Sequence, residues 1–267
     1  VSAPRAQASA ELAVQDDPVF LFRSWGNRDT AFARAKQMHA TWIRFNVIWG
    51  DYVAMNKSFA LYDEAVDAAR AQGFKVQMTV VGTPKYATRQ DQRLSWRNPN
   101  PTLMGTFARA VAEHFKGRVQ RYSVWNEPNL VIWLKRNSRT PAYYRNLYKA
   151  AYAAIKRADP AAKVFFGEMA SGKDALSLLA KTARPGANLR ADGLAHHPFQ
   201  FYTYPGARET KYAGISNLAK IQATMRTLAR TRGIRTPSGG ALPIYYTEFG
   251  YLRRGIYTMT ETKRSQW

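Results

Sequence analysis

Seven times along this chain an apolar, extended run is followed by an amphipathic stretch of helical period, and that repeat constrains the fold more than any other feature. The extended runs cover residues 20–22, 42–49, 75–81, 119–125, 163–167, 192–197 and 243–247. Between them, the spacing predicts helices over 29–39, 61–72, 101–116, 141–158, 173–182 and 214–232, with a last helical stretch opening at Thr260. The helix ends carry chemical signals as well. Asp29 or Thr30 supplies an N-cap, Thr140 precedes Pro141 at a first helical position, and Gly73 and Gly233 supply stops. A strand–helix unit repeated without a break in composition argues for a parallel sheet with helices outside it. At 267 residues the chain fits a single α/β barrel.

A doubly wound sheet would place a glycine-rich phosphate loop after its first strand. Residues 23–29, RSWGNRD, hold one glycine. The expected fold is therefore a (β/α)8 TIM barrel that lacks its eighth βα unit in this chain. Residues 1–17 are expected to form a flexible extension, and 18–267 a C-terminally incomplete barrel domain. Seven strands leave the first and last with unpaired edges, which predicts self-association or a missing C-terminal piece.

Composition narrows the classes further. With no cysteine, disulfides and thiolate metal sites are excluded. No apolar run reaches the roughly 18–20 residues that a membrane helix needs. The opening VSAPRAQASAELAVQDD is small and polar with no apolar core of a signal peptide. It reads as the start of a mature secreted chain, or as a cloned fragment. The net charge of +22 reads as a solvated basic surface or as attraction to a polyanion, an acidic glycan among them. The cations are spread over the predicted outer helices (Lys149, Lys156, Arg157, Lys220, Arg226, Arg230), with no nucleic-acid-binding signature beside them, so nucleic acid is not an expected partner.

In such a barrel, function gathers at the C-terminal ends of the strands. The fourth predicted strand ends in YSVWNEPN and the seventh in YYTEFGY, so Glu127 and Glu248 each top a strand. Paired carboxylates across a barrel mouth suit glycoside hydrolysis, in which one protonates the leaving oxygen and the other attacks the anomeric carbon or activates water. Arg44 and Asn46 are two apart on the second strand and share a face, while His196 and His197 end the sixth. Adjacent strand residues point oppositely, so the two histidines make a poor chelate. No metal cluster, P-loop, dinucleotide fingerprint or nucleophile elbow is evident, and the reaction needs no cofactor.

WNEPN closing the fourth strand and TEFG closing the seventh resemble the signature of clan A of the glycoside hydrolases, the "4/7" barrels. VGTPKYA at 81–87 and DGLAHHPF at 192–199 resemble the cellulase-like and family 39-like members. The resemblance runs from Phe20 to Tyr251 and implies a retaining enzyme that works by double displacement on a polysaccharide or oligosaccharide. It implies Glu127 as general acid/base, Glu248 as nucleophile, Asn126 on the 2-hydroxyl of the sugar, and Arg44 hydrogen-bonded to the nucleophile. His197 matches the strand-six histidine of many clan members, with His196 turned into packing. Two residues on, where many members carry a tyrosine that donates to the nucleophile, this chain has Phe199; Tyr202 or Tyr204 is a candidate replacement. Trp49, Tyr86, Trp133 and Tyr251, with Trp25 behind them, are candidates for stacking on sugar faces. Two other readings stand beside the hydrolase. One is a non-catalytic carbohydrate-binding protein on a degenerate barrel, the other a basic protein whose charge is its function.

Overall fold

The computed structural model describes residues 11–87, 98–199, 212–249 and 260. Its main sheet has seven parallel strands in the order β1 (Ala13–Val14), β2 (Trp42–Ile48), β3 (Lys75–Val81), β4 (Arg121–Val124), β5 (Lys163–Ala170), β7 (Gly193–His197) and β9 (Ile244–Tyr246). Seven strands of a (β/α)8 barrel are thus present. The helices α2 (Arg28–Gln37), α4 (Ala60–Ala71), α5 (Pro101–His114), α6 (Thr140–Ala158), α7 (Ala175–Thr182) and α8 (Leu218–Arg230) follow successive strands. A small parallel pair, β6 (Leu189–Arg190) with β8 (Ile234–Arg235), lies apart from the main sheet. Among the described residues no helix is long and apolar enough to cross a membrane.

Parallel strands covered on both faces read as near-continuous apolar runs. In β3, six of the seven residues of KVQMTVV are buried. Side-chain alternation divides each strand into two lanes. Ile43, Phe45 and Val47 of β2 join the apolar core. The other lane, Trp42, Arg44 and Asn46, shares its face with Gln77 and Thr79 of β3 and Ser123 of β4, and Arg44 Nε donates to Thr79 Oγ1 at 3.1 Å. The barrel interior is therefore polar above a plug of rings. Arg121 of β4 sits 3.6 Å from the Trp42 ring and 5.1 Å from that of Tyr245, itself stacked on Phe165 at 4.3 Å. Those contacts join β2 to β9 across the interior and show that the sheet curls. Among the described residues, β1 and β9 are the two ends of the sheet order.

The predicted first strand is not one. Residues 17–20 form the short helix α1 (Asp17–Phe20), and Phe20 and Leu21 pack into the core. Asp16 caps this helix by accepting from Val19 N–H, with Pro18 in its first turn, and that cap overrides a three-residue apolar run too short to choose a state. The first strand is instead Ala13–Val14, paired with Trp42 and Ile43. Residues 11–17, expected to be extension, thus belong to the barrel. Asn27 caps α2 rather than Asp29 or Thr30. Gly233 does not stop α8, which ends at Arg230; it admits a close approach, since a Cβ there would lie 2.0 Å from Ala183 O.

Candidate active site

The fourth strand delivers Glu127 through a turn built from its own motif. Trp125 (φ 71°) and Glu127 (φ 37°) both take left-handed backbone, which costs a non-glycine residue of order 1 kcal/mol or more. Three contacts hold the turn. Glu127 N–H donates to Glu168 O at 2.8 Å, Trp125 Nε1 donates to Trp133 O at 3.0 Å, and the amide of buried Asn129 pairs with both N–H and C=O of Ala170, each at 3.0 Å. Asn129 thereby extends the β4–β5 pairing through a side chain. Trp133, further along the same loop, donates its indole N–H to Glu127 Oε2 at 2.9 Å.

Glu248 follows β9. Arg44 Nη1 donates to its Oε1 at 2.6 Å and is also bonded to Gln15. His197 ends β7, fully buried, with Nδ1 at 3.1 Å from Glu127 Oε1 and 3.5 Å from Glu248 Oε2. One carboxylate oxygen of Glu127, one of Glu248 and a ring nitrogen of His197 all lie within 4.8 Å of one another. Glu127 and Glu248 border a cleft of about 560 Å³ whose walls include Asp17, Asn46, Asn126, Trp133, Phe199 and Phe249. Asn126 is 5% exposed and its Oδ1 has no partner. Asp17 accepts from Asn46 Nδ2 at 2.8 Å, and burial raises its carboxyl above the usual range against that bond.

A third carboxylate, absent from the sequence reading, joins them. Glu168 lies near the end of β5, where the pairing with β7 slips between Gly167 and Met169. Bulges of this kind re-aim side chains beside active sites. Gly167 has φ 115°, and a Cβ on it would sit 2.5 Å from Ala195 O, so the bend requires glycine. Glu168 is fully buried, with Oε2 at 2.6 Å from His197 Nε2, at 3.3 Å from Arg44 Nη2 and bonded to the Thr247 hydroxyl. Burial alone would raise its carboxyl, but Arg44 and His197 outweigh burial and hold it down at about 2. For His197 burial works toward the neutral ring, and the bonds to Glu127 and Glu168 with the charges of Glu168 and Glu248 reverse it, to about 9. The sequence did hold a signal: a Gly–Glu pair inside the otherwise apolar run VFFGEMA.

Of the residues singled out from sequence, Glu127, Glu248, Asn126, Arg44, His197 and Trp133 meet in one place. His196 turns away to Ala213 O, and burial lowers it to about 4. Phe199 sets its ring edge-on to His197 and has no hydroxyl to offer Glu248. Trp49 is corrected: it is 2% exposed and stacks on Phe107 at 5.3 Å, because it opens α3 (Trp49–Ala54) instead of ending a strand, so it is core. Tyr86 is exposed and packs edge-on against Trp49, outside the lining of the cleft. Trp25 is exposed and likewise outside that lining. Tyr202, Tyr204 and Tyr251 lie outside the described residues. As a metal triad, Glu127, His197 and Glu248 fit poorly, since a doubly protonated imidazole between two carboxylates has no lone pair to give.

The family model for cellulase (glycosyl hydrolase family 5) matches residues 8–267. No curated protein matches the chain. Among solved structures, the GH39 enzyme from Xanthomonas axonopodis pv. citri is 19% identical with a TM-score of 0.62, over 91% of this chain and 52% of that one. A monomeric beta-xylosidase from Caulobacter crescentus CB15 is 21% identical with a TM-score of 0.60, over 91% and 53%. Thermotoga maritima Cel5A, solved with cellobiose, is 15% identical with a TM-score of 0.58, over 92% and 81%. This chain thus spans about half the length of the GH39 structures it matches. At these identities the structures show a shared fold, and the family match over nearly the whole sequence goes further: the chain belongs to the cellulase family, glycosyl hydrolase family 5.

Proposed function

We propose that the chain is a retaining glycoside hydrolase that cleaves O-glycosidic bonds of a polysaccharide or oligosaccharide. Glu248 attacks the anomeric carbon while Glu127 gives its proton to the departing oxygen. Glu127 then takes a proton from water, which displaces Glu248 and restores both carboxyls. Asn126 binds the sugar hydroxyl beside the reacting carbon, Arg44 orients Glu248, and Trp133 walls the cleft while holding Glu127 by its hydrogen bond.

The observation that carries this reading is the separation of the two carboxyl groups. One carboxylate oxygen of Glu127 lies within 4.8 Å of one of Glu248. Retention calls for about 5–5.5 Å between carboxyls, whereas inversion needs about 6.5–9.5 Å to admit a water. Charge bears on the substrate. The walls of the cleft carry Asp16, Asp17, Glu127 and Glu248, with no Lys or Arg among the described residues that line it. This supports an uncharged sugar at the cleavage point, with the +22 net charge acting elsewhere on the surface.

Reducing-sugar release across a panel of neutral and acidic glycans, with Glu248→Gln as control, tests the proposal. Release that vanishes in the variant supports hydrolysis and names the substrate class. Saturable glycan binding without release by wild type would favour the carbohydrate-binding alternative.

A further inference from the structure

We propose that Glu168 is the positioning residue that sets the reactive geometry of both Glu127 and Glu248. The inference rests on the reading of those two as acid/base and nucleophile. A single oxygen, Glu168 Oε2, faces His197 Nε2, the Thr247 hydroxyl and Arg44 Nη2. Each partner leads to a reacting carboxyl. His197 reaches Glu127 with its other nitrogen, Arg44 reaches Glu248 with its other terminal nitrogen, and Thr247 is the residue before Glu248. The backbone adds a fourth link, because Glu168 O accepts the Glu127 N–H. One residue on the fifth strand thus joins the ends of the second, fourth, sixth and seventh strands of the barrel.

The cost of placing it there argues for a role. Glu168 is a fully buried charge, takes φ 47°, and depends on the bulge after Gly167. An apolar residue would avoid the charge burial. Strained, buried groups persist where a site needs them. Charge balance gives the reason. Facing His197 are Glu127 from β4, Glu168 from β5 and Glu248 after β9, with His196 beside it in β7 and Arg44 of β2 across Glu168. Asp17 and Glu248 also act on Arg44, so the charge that Glu168 alone supplies is the one bonded to His197 Nε2. Without Glu168, the His197 cation loses that carboxylate beside the carboxyl that must deliver a proton.

The test uses the full chain carrying Glu168→Gln, which keeps side-chain size and removes the charge. Three quantities are read: kcat and KM on an aryl glycoside cleaved by wild type, the thermal midpoint, and the titration of the His197 ring by NMR. The expected result is a kcat lower by about 100-fold, the scale of a misplaced reacting group, with KM within about threefold. His197 should lose its proton at a lower pH than in wild type. A merely structural role would lower the midpoint and shift the His197 titration while leaving kcat of the folded enzyme where it was, which would overturn the proposal. Glu168→Asp is the rescue variant. It keeps the charge, so the His197 titration stays near wild type while kcat recovers in part. If Glu168→Gln does not fold, the aspartate variant decides, since a carboxylate withdrawn by one methylene should still cost about tenfold in kcat, and wild-type kcat would overturn the proposal. If wild type cleaves no glycoside, the hydrolase reading fails by its own control, and an unchanged His197 titration in Glu168→Gln still overturns the linkage.

Discussion

The two ends of the same seven strands are built on opposite plans. At the N-terminal end the interior is filled by rings around one cation: Arg121 lies against Trp42, near Tyr245 and Phe165, and is paired with Glu11. At the C-terminal end three carboxylates and two cations share the interior, Trp125, Glu127 and Glu168 carry left-handed backbone, and Asn126 keeps an unpartnered oxygen. A strand can be packed for stability at one end and strained for chemistry at the other because it is stiff between them. The plug is closed by stacked rings, whereas the mouth must leave groups free to meet a substrate. Damage at the plug should therefore appear as lost stability and damage at the mouth as lost turnover.

The largest effect should come from the mouth. Glu248→Gln is expected to lower kcat by about 10⁴-fold or more with the thermal midpoint nearly unchanged, the scale seen when a nucleophile is removed. Glu127→Gln should split by leaving group: nearly as severe for a sugar leaving group, milder for an acidic phenol that departs without a proton. Steady-state kinetics on paired substrates check both, and equal losses on the two substrates would remove Glu127 as the acid.

At the plug, Phe165→Ala should cost about 3–5 kcal/mol in unfolding free energy by urea titration, and leave kcat of the folded enzyme within about twofold. A fall in kcat as large as that for a mouth variant would break the division between the two ends.

The ion cluster sets a pH window. His197 is raised from 6.5 to about 9 on folding, so its stabilisation is complete below pH 6.5 and lost as pH rises through 9. Glu168 is lowered from 4.5 to about 2, so its stabilisation is complete above pH 4.5 and lost as pH falls toward 2. The mouth should contribute most between pH 4.5 and 6.5. The stability difference between wild type and His197→Gln, followed by thermal unfolding, should shrink between pH 6.5 and 9. A difference that stays constant across that range would refute the charged imidazole.

The smallest effect should be that of Trp133→Phe, which keeps the ring and removes the N–H to Glu127. One neutral donor to a carboxylate is worth about 1–1.5 kcal/mol, so kcat/KM should fall by about 5–12-fold.

Much of this division was legible beforehand. WNEPN and TEFG marked both carboxyls that meet at the mouth, because a glutamate, an asparagine and aromatic residues held at a strand end leave a dense local signature. Arg44 and His197 were legible through the resemblance, with alternation adding only that Arg44 shares a face with Asn46 and that His197 points opposite to His196. Trp49 was offered as a sugar-stacking ring because a tryptophan at the end of a run looks the same whether the chain turns out into a loop or straight into a helix under α5. Glu168 went unread because its strand was ended three residues early, at the glycine that makes the bulge.

Local chemistry was thus sufficient for most of the repeat of strands and helices, for the parallel sheet and for the two glutamates that meet at its mouth. These follow from period, caps and motifs that span a few residues. Contacts between distant segments determined the rest. Ala13–Val14 becomes a strand only because β2 offers it an edge, and Arg44 meets Glu248 across 204 positions of chain. Periodicity tells which face of a strand is buried, but not how tightly the sheet curls. It is the curl that brings the ends of the second, fifth and seventh strands within bonding distance of one another.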